Sequence, residues 1–483
     1  MQTTSGSSRY SGFYTLITVF FFWGFVAASN DILIPVFKDK LNLEQWQSQL
    51  VAFAFYVAYT VGSAIYIIIS KSRGKDLLST IGYKNGIALG LVVSAIGTLL
   101  FYPAAEMASF GLFISGLFIV GLGFSLQQTA ANMLAIVMGS PETGAQRLSL
   151  AGGINNFGTT VGPLLVSFAI FGTVATDGVS IASIEAIKFP YLILGAAFIL
   201  VAVIFKFSSV PNKIDLDREA DQNATDTTKV IHRAGPLQYP QLVLGMIAIF
   251  IYVGVEVATV SNLPYFLEKE NGISTNHVAP YISLYWASMM IGRWTSAVGA
   301  FNMSDGIKGI MRFVMPYIAF AVFIAVNRIM NHDVTPFYVY AFVIIFMIIG
   351  DVLSKKNPAR QLLIFSLFGI AALFIGMLST GPVATYSFIS VGLFCSTLWP
   401  CIFALSIAGL GRHTNEGSNY LIMMIMGGGF ISLLQGWLAE PDVIGVRYSY
   451  LVGVACFVYL AFYAVRTKAI LKEQGIDYDV KKA

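Results

Sequence analysis

The chain has 483 residues, 56% hydrophobic and only 11% charged, with a net charge of +4. A soluble chain of that length would form two or three domains with about a quarter of its residues charged, so the composition excludes it and describes a polytopic membrane protein. The small, dispersed positive excess excludes nucleic-acid binding, and the basic residues report topology instead.

The first apolar run, 13–37, is long enough to cross a hydrocarbon core about 30 Å thick, which needs roughly 20 helical residues. It carries Asn30 and Asp31 near its far end. A carboxylate at membrane depth is costly unless it faces protein or water, which makes Asp31 a functional candidate. At helical spacing Asp31 shares a face with Ala27, Gly24 and Trp23, as in the lining of a cavity. Arg9 and the small residues of VAAS resemble a cleavable signal, but the apolar run continues past them, so the segment is expected to stay as the first span.

Further apolar runs at 47–70, 83–102, 109–139, 145–172 and 189–207 complete a first half, 1–207, of six helices. The polar stretch 208–239, rich in both signs of charge, reads as a solvated cytoplasmic connector. A second half, 240–483, holds runs at 240–268, 278–300, 308–329, 335–352, 360–379, 382–410, 415–438 and 446–466, giving an all-α bundle of fourteen spans. With both termini in the cytoplasm, every basic residue but Lys38, Lys40, Lys188, Lys269, Arg328 and Arg447 falls inside, which is the expected charge asymmetry. Two helical halves around a charged connector make a transporter plan with a midplane site. The seventh span places Glu256 about as deep as Asp31 lies in the first. Ser29-Asn30 recurs as Ser261-Asn262, each shortly before a Pro and a Phe.

The fourth span contains GLGFSLQQTAANM, where Gln128 and Asn132 share a face with Gln127 beside them; the fifth adds Asn155 and Asn156 among glycines. A single amide in hydrocarbon is most often glue between helices. Several amides with two acids also suit a sugar, whose hydroxyls both donate and accept and whose ring face takes an aromatic plate. Trp286, Trp399 and Trp23 are the candidate plates. Asp31 and Glu256 are the candidates for proton coupling, since burial disfavours the charged carboxylate and opening to water restores it. Arg293 is expected to snorkel or brace a loop at the cytoplasmic end of the eighth span. No phosphate-binding GxxxxGK[ST] loop is present, and His232, His277, His332 and His413 fall in loops or at helix ends, so an embedded enzyme, a metal or a cofactor is not expected. Cys395, Cys401 and Cys456 read as small packing residues.

The strings FFFWGF, NDILIP, IGYKNGI, QQTAANM, RLSLAGGINNFGTTVGP, YVGVEV and IGRW together resemble the fucose–proton symporter family of the major facilitator superfamily, and within it the bacterial glucose/galactose transporter branch. That resemblance implies twelve core helices in two halves, multi-pass residence in a bacterial inner membrane, and a monomer as the working unit. It places the family's acid of the first helix on Asp31, its amides on Asn132 and Asn155, and the branch's Gln and Glu on Gln128 and Glu256. Against the family pattern, Met133 replaces a Pro, Gly152 a Gln and Cys395 an Asn. The inserted stretch at about 304–356 adds two helices between core helices eight and nine; rich in Ile, Val, Phe and Met, they are expected at the periphery. The function implied is import of a monosaccharide, such as glucose or galactose, coupled to protons, with Asn30, Gln128, Asn132, Asn155, Glu256, Trp286 and Trp399 on the sugar. Sodium coupling, export of amphipathic compounds and a non-transporting membrane sugar sensor remain open at this stage.

Overall fold

In the computed structural model the described residues are 12–26, 45–140, 143–171, 184–213, 233–273 and 277–479, and among them the regular secondary structure is helical. Asn30 and Asp31 lie outside the described residues.

The principal helices of the first part of the chain are α1 (Gly12–Val26), α2 (Gln45–Arg73), α3 (Tyr83–Leu99), α4 (Phe110–Val137), α5 (Gly144–Phe171) and α6 (Ile184–Phe207). The second part supplies α7 (Pro240–Asn271), α8 (Ala279–Ala297), α9 (Asp305–Ile329), α10 (Tyr340–Ser354), α11 (Pro358–Leu378), α12 (Gly381–Cys395), α13 (Leu398–Ile407), α14 (Thr414–Met423), α15 (Gly427–Leu438) and α16 (Leu451–Glu473). Among the described residues, 10 helical stretches are long and apolar enough to cross a membrane, α12 and α13 forming one of them. Starts and stops follow local chemistry. Pro240 opens α7, where its missing N–H costs nothing, and Gly272 in the left-handed region closes it.

The described chain separates into two compact units. The first gathers 1–139, 157–215 and 418–423. Its backbones approach closely where α3 crosses α4: a Cβ on Gly97 would lie 2.7 Å from the Gly116 carbonyl oxygen, and one on Gly116 would lie 2.8 Å from that of Gly97. Small residues at such crossings let dispersion and polar contacts hold helices together where lipid offers no hydrophobic drive. Gly90 and Gly123 repeat the arrangement two turns away.

The second unit gathers 140–156, 216–417 and 424–483. Its centre is the α12–α13 span, whose apolar window is 94% buried; the α9 window is 28% buried, placing α9 at the rim of this unit. α9 is tied to α8 by Asn327, which donates to Ser283 Oγ at 3.1 Å, and α10 is tied to α8 by the Ser288 and Tyr340 hydroxyls, 2.8 Å apart. Between α12 and α13 the helix breaks at Ser396 and Thr397. A break at membrane depth frees carbonyls that need partners from protein.

Candidate functional site

In the second unit, the break between α12 and α13 is filled by Arg293 of α8. Its Nε donates to the Ser396 carbonyl at 3.0 Å. Its Nη1 donates to Asn156 Oδ1 at 2.6 Å and to the Gly152 carbonyl at 3.2 Å, both on α5, and its Nη2 to the Tyr252 hydroxyl at 3.4 Å. Only 8% exposed, Arg293 does not snorkel, which corrects that part of the sequence expectation; what it braces is the break between α12 and α13. The stem cannot reach water because the guanidinium is captured by acceptors from α5, α7 and the α12–α13 break. Glycines make the capture possible. A Cβ on Gly152 would lie 3.0 Å from Arg293 Nη1, and one on Gly292 would overlap Ser396 Oγ. Gly152 thus leaves the space that the arginine occupies.

On α7, one turn separates Tyr252 from Glu256, so the two share a face. The Glu256 carboxylate lies within the electrostatic reach of the Tyr252 hydroxyl and of Arg293. From α8, Tyr285 donates to the Glu256 backbone carbonyl at 2.8 Å. The Trp399 ring stands 6.1 Å from that of Tyr252, and Trp286 meets Tyr285 edge-on at 5.6 Å. Both indoles are half-exposed and therefore have surface to offer a ligand. Asn155 is half-buried on α5; its neighbour Asn156 is the one bound to Arg293. Tyr252, Tyr285, Asn156 and Arg293 thus join the predicted Glu256 and Trp399. The string IGRW was their sequence signal, a cation one residue after a glycine inside an apolar helix.

In the first unit, the amides of α4 divide by role. Gln127 is fully buried, accepting from Trp23 Nε1 at 2.9 Å and donating to Ser94 Oγ at 3.0 Å, so it joins α1, α3 and α4. Trp23 is 5% exposed and packs on Phe20 and Phe124, which makes it a core ring rather than an accessible plate. Gln128 is half-buried and donates to the Tyr59 hydroxyl at 2.9 Å. Asn132 is 2% exposed, and its Nδ2 has no hydrogen-bond partner. A buried amide donor without an acceptor is a place where a ligand oxygen or water belongs.

Comparison with known proteins decides what these features belong to. Residues 16–350 match the model of the Major Facilitator Superfamily. The chain belongs to that superfamily. Within it, the chain falls in the fucose–proton symporter family. It is 34% identical to the glucose/galactose transporter of Brucella abortus over 469 residues, covering 96% of each chain. It is 27% identical to the L-fucose-proton symporter of Escherichia coli over 467 residues, covering 94% of this chain and 92% of the relative. A solved structure of the E. coli fucose:proton symporter FucP, carrying a single substitution, superposes with a TM-score of 0.71 at 24% identity, covering 95% of this chain and 99% of that one. The FucP likeness shows the superfamily fold, and the two relatives span nearly the whole length of this chain.

Proposed function

We propose that this protein is a secondary active transporter that imports a monosaccharide, a hexose such as glucose or galactose or a related sugar, driven by protons through alternating access. The observation that carries the reading is Glu256, a carboxylate inside a 32-residue apolar helix, set beside a hydroxyl and near a guanidinium and two half-exposed indoles. The names borne by its relatives support the substrate class. In this reading Glu256 and Asp31 take up the proton; Asn30, Gln128, Asn132 and Asn155 hold hydroxyls, and Trp399 or Trp286 lies beneath the sugar ring. The plan is two six-helix halves, 1–207 and 240–483, joined by the connector 208–239, with α9 and α10 as an accessory pair between core helices eight and nine. Both termini face the cytoplasm of a bacterial cell, and the monomer is the working unit.

Counterflow in reconstituted vesicles against D-glucose, D-galactose, L-fucose and N-acetylated hexoses tests the substrate class. Exchange of at least one is expected, and exchange of none removes the sugar reading. Glu256→Gln is expected to keep counterflow while abolishing accumulation driven by a pH gradient; unchanged accumulation removes Glu256 from coupling.

A further inference from the structure

Arg293 is buried in the membrane region with a full positive charge, yet its four acceptors, on Ser396, Asn156, Gly152 and Tyr252, are all neutral. An uncompensated buried charge is expensive, so a counter-charge nearby matters. Glu256 lies one helical turn from Tyr252, whose hydroxyl accepts from Arg293, outside direct ion-pair distance but within the field of the guanidinium. The ionisable groups facing Glu256 among the described residues are Tyr252 on its own helix, Arg293 and Tyr285 from α8, and Cys395 from α12. Of these, only Arg293 carries a charge at neutral pH.

Around Arg293, α8 and α5 meet through a clasp within the second unit. Trp294 Nε1 donates to the Gly153 carbonyl at 3.1 Å, and Ser149 Oγ lies 3.4 Å from Ser296 Oγ. The clasp is close-fitting: a Cβ on Gly153 would lie 2.5 Å from Trp294 Cδ1.

We propose that the proton on Glu256 sets the grip of α8 on α5, with Arg293 as the positioning residue and Tyr252 as the bridge. An ionised Glu256 compensates the guanidinium, which then stays seated on Asn156 and Gly152. When the carboxylate takes up a proton, Arg293 is left among neutral acceptors only, its burial becomes costlier, and the clasp loosens. The linkage is reciprocal, so a closed clasp favours the ionised carboxylate and an open one favours proton uptake. This rests on the reading that Glu256 titrates during transport, and it adds where the titration is felt. The competing account is that Arg293 merely satisfies the broken α12–α13 backbone, in which case the charge on Glu256 does not matter to α5.

The test uses the full chain with Cys395, Cys401 and Cys456 replaced by Ala and the pair Ser149→Cys, Ser296→Cys introduced. Oxidative crosslinking is followed between pH 5 and 8, with and without Glu256→Gln. The ratio of the rates at each pH cancels the pH dependence of thiol chemistry. A ratio of threefold or more is expected at pH 8, falling to one by pH 5, and a ratio of one throughout is expected when Arg293→Gln is added. Asn156→Ala, a smaller change, is expected to lower the pH 8 ratio and serves should Arg293→Gln not fold. A ratio of one at every pH in the otherwise native protein, or one that persists without Arg293 or without Asn156, overturns the proposal. Crosslinking needs no sugar, so a pH-dependent ratio without hexose counterflow removes the sugar reading alone. Counterflow with a flat ratio removes this inference alone.

Discussion

Gln127 and Asn132 are chemically alike and five residues apart on one helix, yet their surroundings predict opposite consequences of losing the amide. Gln127→Ala strips a partner from both Trp23 and Ser94, two buried groups on other helices. Ser94 keeps its bond to the Val120 carbonyl, but Trp23 Nε1 is left unpaired, which costs about 1–3 kcal/mol, so a lower unfolding temperature is expected in detergent. Asn132→Ala removes a donor that has no partner, so stability is expected to hold or rise while sugar binding, read by ligand-induced thermal shift, falls. At the C-terminal end of α16 the same logic gives a pH dependence. Lys468, which donates to the Asp479 carboxylate, and then Arg360 and Asn357 hold that carboxyl below the usual Asp range. A depressed value means that its contribution is fully present above the ordinary Asp titration near pH ~4 and is lost as pH falls through the lower folded value. The protection of the 474–479 amides, measured as exchange relative to the intrinsic rate at each pH, is therefore expected to be high at neutral pH, to fall only below the ordinary carboxylate range, and to be low at neutral pH in Asp479→Asn.

Among the elements, α9 and α10 hold a carboxylate of the same kind as Asp31 and Glu256, set within the Ile, Val, Phe and Met of the inserted pair. Asp351 on α10 is 6% exposed; it sits 3.5 Å from Arg312 of α9 and accepts from Gln361 of α11 at 3.4 Å. One turn from the end of a helix dominated by Ile and Phe, its charge was masked by apolar neighbours, and its partner lies 39 residues earlier. Removing one member of a buried pair typically costs 3–5 kcal/mol, whereas replacing both with apolar residues of similar volume is often neutral. Arg312 is only half-buried and the separation is 3.5 Å, so Asp351→Ala is expected to cost less than that range, about 2 kcal/mol. Arg312→Met with Asp351→Leu should recover most of that loss. Urea or thermal unfolding of the purified variants checks both, and a double variant no better than the single one would count against the pairing.

For the whole molecule, the helical content, the apolar spans and the family were legible because each depends on runs of twenty or so residues, and single ambiguities average out. The candidate site was legible only in part, since Glu256 and Trp399 announce themselves by type whereas Tyr252 and Asn156 gain their meaning from a partner more than 40 residues away. Equally hidden was how each compact unit borrows from the other part of the chain. Ser418 donates to the Thr129 carbonyl at 2.8 Å and Asn419 to the Ser63 carbonyl at 3.0 Å, so 418–423 completes the first unit. In turn 140–156, through Asn156 and Gly152 on Arg293, completes the second. A chain cut between residues 213 and 233 therefore yields two fragments, each missing a segment that its own unit needs. Fragment 1–213 made alone leaves the Thr129 and Ser63 carbonyls without these partners, and fragment 233–483 alone leaves Arg293 without its α5 acceptors. Each is expected to aggregate or be degraded when expressed singly, and the two to co-purify and regain counterflow when expressed together. A monodisperse, thermally stable single fragment would show that the borrowed segments contribute little to either unit.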